Sequence, residues 1–275
     1  MSEAAAARET TGAGRPPPVP PAGTAILAVF RLYWRRLARG HKPRLGLVAV
    51  ALVVVGVSAI RYAAKDADAT DVVKNGIDLG FFRFLVFLLP FLFTSGAIAE
   101  EVELRTFPFL TSRPVSRASI AMGKLGAGVA MSLLLLLPGA LIVHLACFAT
   151  DPTALVDGLP QTLRGVGALA LLCVCYGAIC MFWGALVVEA AGIVSALYLA
   201  FVEFLFSFVP GICGLVSANY HARQIAGLPK GTLMPDYAIE VSVTTHIAVV
   251  SGVAVAFIVL MALVVQVSEY RFGKA

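Results

Sequence analysis

An apolar stretch of 48 residues, from position 163 to position 210, constrains the fold of this chain more than any other feature. A soluble protein of this chain length cannot bury such a run in its core. One helix, in contrast, needs only about 20 mainly apolar residues to cross a bilayer. The stretch therefore predicts two membrane spans. Glu189, followed by Gly192, marks the hairpin between them and gives spans over 163–187 and 192–210.

Four further apolar runs predict that the chain is an all-α polytopic membrane protein. They give spans at 45–64, 79–99, 122–149 and 244–267, which makes six in all. The composition agrees, because 59% of the residues are hydrophobic and 13% are charged, against about half and a quarter in soluble domains. The spans belong to one transmembrane domain, 24–275. The preceding tail at 1–23 is rich in Ala and Pro, a composition that predicts disorder.

Residues 24–39 predict an amphipathic helix. One face holds aromatic and aliphatic residues at three- and four-residue steps: Ile26, Phe30, Tyr33 and Leu37. The other face carries an arginine at every fourth position: Arg31, Arg35 and Arg39. A helix with these two faces lies in the membrane interface.

The distribution of basic residues predicts the orientation of the chain. Six spans place both termini on the side of the loop at 100–121, and this side carries 14 of the 21 Lys and Arg residues. Since cytoplasmic segments are enriched in these residues, we expect the loop and both termini to be cytoplasmic, in the plasma membrane. The net charge of +5 follows from residues that flank the spans, so nucleic acid is not an expected partner.

Motifs of catalysis and cofactor binding are missing from the sequence. The pair Gly123-Lys124 would need Gly at 118 and Ser or Thr at 125 to form a phosphate-binding loop, but these positions are Ala118 and Leu125. No two of the four histidines share a helix face, which argues against a metal or general-base site, and the five cysteines fit small apolar side chains in helices. We therefore expect no enzyme activity, no cofactor and no metal in this chain.

One ionisable residue, Glu203, falls near the middle of a predicted span. A charge at this depth is costly, so such a residue is a functional candidate by default. Its carboxyl group either lines a transport pathway or locks two helices together, and the sequence leaves both open.

The loop between the second and third spans is the most informative stretch. Glu100, Glu101 and Glu103 open it, Thr106 and Pro108 suit the start of a short helix, and Pro114 ends that helix. Such a compact, bipolar loop transmits force if a partner protein grips it. A solvated loop without a partner fits the residues equally well.

In this loop the sequence resembles the type-2 ATP-binding-cassette (ABC) permeases. The matches are the three glutamates, Thr106, the run Ser-Arg-Pro-Val-Ser-Arg at 112–117, and Gly123-Lys124. The segment 198–203 with Pro210-Gly211 resembles the fifth span of that family, and 24–39 resembles its elbow helix. Two positions depart from the pattern, because Arg105 replaces a glycine and Pro108 an acidic residue.

The resemblance implies that the chain is a permease subunit that pairs with a second permease subunit, as a homodimer or a heterodimer. A separate ABC ATPase subunit binds ATP and grips the loop helix, and substrate is usually exported between the second and fifth spans. The implied coupling residues are Glu100, Glu101, Glu103, Arg105, Thr106, Phe107, Phe109, Arg113 and Arg117.

Two other functions stay open at this point. An ion-coupled secondary transporter needs buried titratable groups and matching halves, and the sequence shows one deep glutamate and no internal symmetry. A membrane scaffold that transports nothing is the other alternative. The substrate is not predicted, because the spans show no polar stripe that would select a solute.

Overall fold

The computed structural model describes residues 21–63, 68–103, 115–207, 212–228 and 241–268. Within these ranges every regular element is helical, and six helices are long and apolar enough to cross a membrane. They are span 1, Lys42–Ala63; span 2, Ala69–Val102; span 3, Arg117–Cys147; span 4, Pro152–Leu186; span 5, Val188–Leu205; and span 6, Val243–Val267. The prediction of an all-α polytopic membrane protein with six spans is confirmed.

Two shorter elements complete the site described below. The elbow helix, Ala22–Arg39, precedes span 1 and begins inside the segment predicted as a disordered tail, most of which lies outside the described residues. The far-end helix, Ala218–Ile225, follows the short helix Ile212–Val216. It lies in the segment between spans 5 and 6.

Spans 2 and 4 begin about three turns before their predicted starts. Asp68 caps span 2, where its Oδ1 accepts a hydrogen bond from the Thr70 amide at 2.9 Å. Asp151 caps span 4 in the same way, accepting from the Thr153 amide at 3.0 Å. Because these caps satisfy the amides of polar first turns, each helix extends beyond its apolar run.

Successive spans run in opposite directions, so the bundle has two ends. At the loop end, Arg117 at the start of span 3 donates to the carbonyl of Ser268 after span 6 at 3.0 Å. At the far end, Arg61 of span 1 donates to the carbonyl of Cys147 of span 3 at 3.4 Å. Span 4 is the most buried of the six, while spans 1 and 6 are the least buried and present apolar side chains outward.

Glycines allow the central helices to pack closely. A Cβ atom on Gly184 of span 4 would lie 2.0 Å from the carbonyl oxygen of Ser95 in span 2. One on Gly128 of span 3 would lie 2.6 Å from Thr94 Cγ2. Small residues let membrane helices approach closely enough for dispersion contacts, which replace the hydrophobic effect in lipid.

Spans 2 and 5 each contain a π-helical segment, Ile77–Leu85 and Leu199–Leu205. Each segment holds a buried carboxylate, Asp78 in the first and Glu203 in the second. Since π-helical turns are rare and are frequent at functional sites, they direct attention to the far end of the bundle.

Candidate functional site

At the loop end, two of the predicted coupling residues form ion pairs with neighbouring helices. Glu100 accepts from Lys42 of span 1 and from Arg36 of the elbow helix, the latter at 3.4 Å. Glu101 lies 2.6 Å from Lys124 Nζ of span 3 and 3.7 Å from Arg36 Nη1. We call these five residues the loop-end network. It connects the end of span 2 to the elbow helix, span 1 and span 3.

Burial differs sharply within the loop-end network. The Lys124 and Glu101 side chains are 2% and 6% exposed, whereas those of Arg36 and Glu100 are 45% and 34% exposed. Lys124 Nζ also donates to the carbonyl of Ala97 at 2.6 Å. Because a buried charge needs a partner and an exposed one does not, the Lys124–Glu101 pair is structural and the Arg36–Glu100 pair can exchange partners.

Tyr33 adds a second contact between the elbow helix and span 2. Its hydroxyl donates to the carbonyl of Phe93 at 3.2 Å. Burial, and then the negative charge of Glu100, raises the pKa of Tyr33 above its ordinary range. The hydroxyl therefore keeps its proton at neutral pH and holds the elbow helix against the bundle.

The other predicted coupling residues are distributed differently. Five of them lie outside the described residues: Arg105, Thr106, Phe107, Phe109 and Arg113. Glu103 ends the helix Ala99–Glu103, with its side chain outside the description. Arg117 begins span 3 and contacts span 6, as noted above. The structure thus brings Glu100 and Glu101 together and places Arg117 apart from them.

At the far end, Glu203 binds the far-end helix. Its Oε2 atom accepts from the Tyr176 hydroxyl at 2.9 Å, the Asn219 amide at 3.2 Å and the Ser217 hydroxyl at 3.3 Å. Asn219 Nδ2 in turn donates to the carbonyl of Phe82 at 2.6 Å. Only 1% of Glu203 is exposed, so this geometry favours a lock between helices over the lining of a pathway.

Asp78 and Arg223 form a buried ion pair that the sequence did not reveal. Arg223 donates from Nε to Asp78 Oδ1 at 2.5 Å and from Nη2 to Oδ2 at 3.1 Å, and Arg83 Nε lies 3.0 Å from Oδ2. The segment 211–243 reads in sequence as an external loop that partly enters the interface. In the structure its residues 218–225 form a helix that is almost entirely buried. The one sequence feature that could indicate the start of this helix is Ser217, which caps it.

Two histidines whose contact the sequence does not indicate meet at the far end of the bundle. His221 of the far-end helix and His246 of span 6 approach to 2.6 Å between their Nδ1 atoms, and His221 Nε2 lies 2.9 Å from the carbonyl of Leu215. The hydrogen bonds assign a donating Nε2 and an accepting Nδ1 to His221, with His246 Nδ1 as the donor. Burial lowers the pKa of His221, which agrees with a neutral ring.

Across the ranges that the structure covers, no three His, Cys, Asp or Glu side chains come together in a way that could hold a metal ion. The cysteines that it shows are free and buried: Cys147, Cys173, Cys175 and Cys180. Their burial agrees with a role as small apolar side chains.

A groove separates spans 2 and 5 on the outside of the bundle. Its volume is about 290 Å³, and its lining includes Arg83 and four phenylalanines, Phe84, Phe87, Phe91 and Phe204. The ring of Phe87 stacks on Tyr176 at a centroid distance of 5.0 Å, so the groove borders the residues that bind Glu203. This arrangement accepts an apolar or aromatic surface.

Comparison with known protein families gives a match over most of the chain. A family model described as "ABC-2 family transporter protein" matches residues 42–239, which include spans 1 to 5 and the far-end helix. No curated protein matches the chain.

Proposed function

Since this chain belongs to the ABC-2 transporter family, we propose that its permease fold is driven by a separate ABC ATPase subunit and exports its substrate. The ATPase would grip the loop around 100–117. The loop and both termini would face the cytoplasm, in the plasma membrane. A second permease subunit, identical or related, would complete the transporter.

The observation that carries the proposal is the loop-end network. A displacement of the loop acts directly on the end of span 2, where Glu100 and Glu101 lie. Through Arg36, Lys42 and Lys124 it also acts on the elbow helix, span 1 and span 3. One external contact can therefore move four elements together.

The environment of Lys124 supports the proposal that ATP binds elsewhere. Its amino group already contacts Glu101 and the carbonyl of Ala97, both at 2.6 Å, and is 2% exposed. It is therefore not placed to hold a phosphate. We propose that the chain has no catalytic activity and no cofactor of its own.

The substrate path would run along the groove between spans 2 and 5. Both spans carry a π-helical segment there, and both are fixed to the far-end helix, through Asp78 and Glu203 respectively. When the loop moves span 2, these contacts would transmit the movement to the far end. The second subunit would cover the open side of the groove.

The test is affinity purification of the full chain from native membranes, with mass spectrometry to identify an ATPase that carries a phosphate-binding loop. Arg105→Glu should lower the recovered ATPase about tenfold or more, because a reversed charge at an interface costs several kcal/mol. Arg44→Glu is the matched control, since Arg44 is exposed at the same end and outside the loop. Its recovery should equal that of the wild type.

Three outcomes would overturn the proposal. If Arg105→Glu kept full ATPase recovery and full ATP-driven turnover, the loop would not be the contact through which the ATPase drives this chain. Transport by a proton gradient in vesicles that lack ATP would favour a secondary transporter. An ATPase that binds normally in cells that transport nothing would favour a scaffold.

A further inference from the structure

The elbow helix carries a row of arginines on the face turned away from the bundle. Arg31, Arg35 and Arg39 follow one another at steps of four residues, and all three are exposed. The opposite face, with Tyr33 and Leu37, is buried. The row spans about 12 Å along the helix axis, since eight residues separate its ends.

These arginines have no acidic partner among the residues that the structure describes. None of the three takes part in an ion pair there. The sequence contains no Asp or Glu between Glu9 and Asp66. Glu100, the half-exposed carboxylate at the loop end, already contacts Lys42 and Arg36. The row is therefore a strip of positive charge that the described part of the chain leaves without compensation.

Apolar side chains flank the row on both sides. Leu27 is 48% exposed and Leu32 is 64% exposed. A concave surface of about 620 Å³ lies between the arginines, with Ala28 and Leu32 among its lining residues. Past the elbow helix, exposed Leu45 and Leu47 continue the apolar surface onto span 1. An occupant must therefore offer negative charge beside hydrocarbon.

We propose that this arginine row binds the phosphate groups of anionic phospholipids. A guanidinium group matches a phosphate with two parallel hydrogen bonds, and a lipid brings acyl chains to the exposed leucines. A soluble phosphate would satisfy the charge and leave the leucines exposed. The same helix positions Arg36 and Tyr33 on span 2, so bound lipid would hold the elbow helix in its place on the bundle.

The chain supplies its own reporter for this site. It has two tryptophans, of which Trp34 lies in the elbow helix and Trp183 in span 4, packed on Phe182 at a centroid distance of 5.1 Å. Trp183→Phe leaves Trp34 as the single fluorophore. The full chain is placed in phosphatidylcholine nanodiscs that contain a small fraction of brominated phosphatidylglycerol or of brominated phosphatidylcholine. Bromine quenches tryptophan only at short range.

We expect the anionic brominated lipid to quench Trp34 more than the neutral one at equal fraction. In Arg31→Gln/Arg35→Gln/Arg39→Gln this preference should fall about tenfold or more, since each basic residue near a charged surface attracts anionic lipid. Replacement of the same three residues by Lys should keep most of it. Arg44→Gln, outside the row, should leave it unchanged.

Three results would overturn the proposal. The first is equal quenching by both lipids in the wild type, and the second is a preference that survives in the triple glutamine variant. The third is loss of the preference on addition of inorganic phosphate at constant ionic strength, which would indicate a site for free phosphate. If the triple variant keeps its lipid preference and, in the separate affinity purification from native membranes, recovers less ATPase, the row is a protein-binding surface. The assay contains no ATPase, so its outcome is independent of the proposed drive mechanism.

Discussion

The loop end and the far end of the bundle both join several helices through ion pairs, but they differ in access to water. At the loop end, Arg36 and Glu100 are 45% and 34% exposed. At the far end, Arg223 and Asp78 are 1% and 8% exposed. Water can replace a lost partner in the exposed Arg36–Glu100 pair and cannot in the buried Arg223–Asp78 pair. The loop end is thus suited to exchange contacts with a partner, while the far end stays closed until its helices move together.

The largest expected effect is at the far end. Arg223→Met leaves the Asp78 carboxylate buried with a reduced set of partners. Removing one member of a buried pair costs about 3–5 kcal/mol in the free energy of unfolding. Unfolding of the full chain in detergent micelles titrated with a denaturing detergent measures this loss.

The double variant Asp78→Asn/Arg223→Met tests whether the loss comes from the pair. It should cost less than the sum of the two single variants, because the buried carboxylate that Arg223→Met leaves with fewer partners is also gone. Additive costs, or wild-type stability of Arg223→Met, would show that the far end is not held by this contact.

A smaller effect is expected at the loop end, and it should follow burial within the network. Lys124→Gln removes the buried partner of Glu101 and should lower the free energy of unfolding by about 1–3 kcal/mol. Arg36→Gln breaks a half-exposed pair and should cost less than about 1 kcal/mol. The same denaturing-detergent titration compares the two. If Lys124→Gln and Arg36→Gln lower the free energy of unfolding equally, burial does not distinguish the two ion pairs of the loop-end network.

The last expected effect is a dependence on pH at the histidine pair. Burial lowers the pKa of His221 below its ordinary value of 6.5. The folded state therefore binds fewer protons than the unfolded state. Above pH 6.5 the neutral ring of His221 contributes its full stabilisation. This stabilisation is lost as the pH falls from 6.5 through the lowered pKa of His221.

Hydrogen exchange of the backbone at 218–225 measures this dependence. Between about pH 7.5 and pH 5.5, after correction for intrinsic rates, we expect protection to fall by at most about tenfold, since one pH unit below the ordinary pKa corresponds to about 1.4 kcal/mol. In the control variant His221→Asn/His246→Asn the fall should disappear. An equal fall in the control would assign the dependence to other groups.

Much of the fold could be predicted from the sequence, because span length and the period of the arginines are local properties. The number of spans and the elbow helix follow from them. The contact between Asp78 and Arg223 could not be predicted, since the two residues are 145 positions apart and both lie outside the predicted spans. Glu203 stood out as a charge in an apolar run, but no pattern pointed to Tyr176 or Asn219 as its partners. The sequence marks the glutamates of the loop as coupling candidates. Their charge alone does not reveal that Glu100 and Glu101 pair with residues of the elbow helix, span 1 and span 3.

The measurement that tests the central claim most directly is the side of the membrane on which the loop lies. In a background without the native cysteines, Ser112→Cys is treated with a membrane-impermeant maleimide in intact cells and after lysis. Thr153→Cys, exposed at the far end, is the matched control. The account predicts that position 112 is labelled only after lysis and position 153 also in intact cells. Labelling of position 112 in intact cells would place the loop out of reach of any cytoplasmic ATPase and would contradict the account.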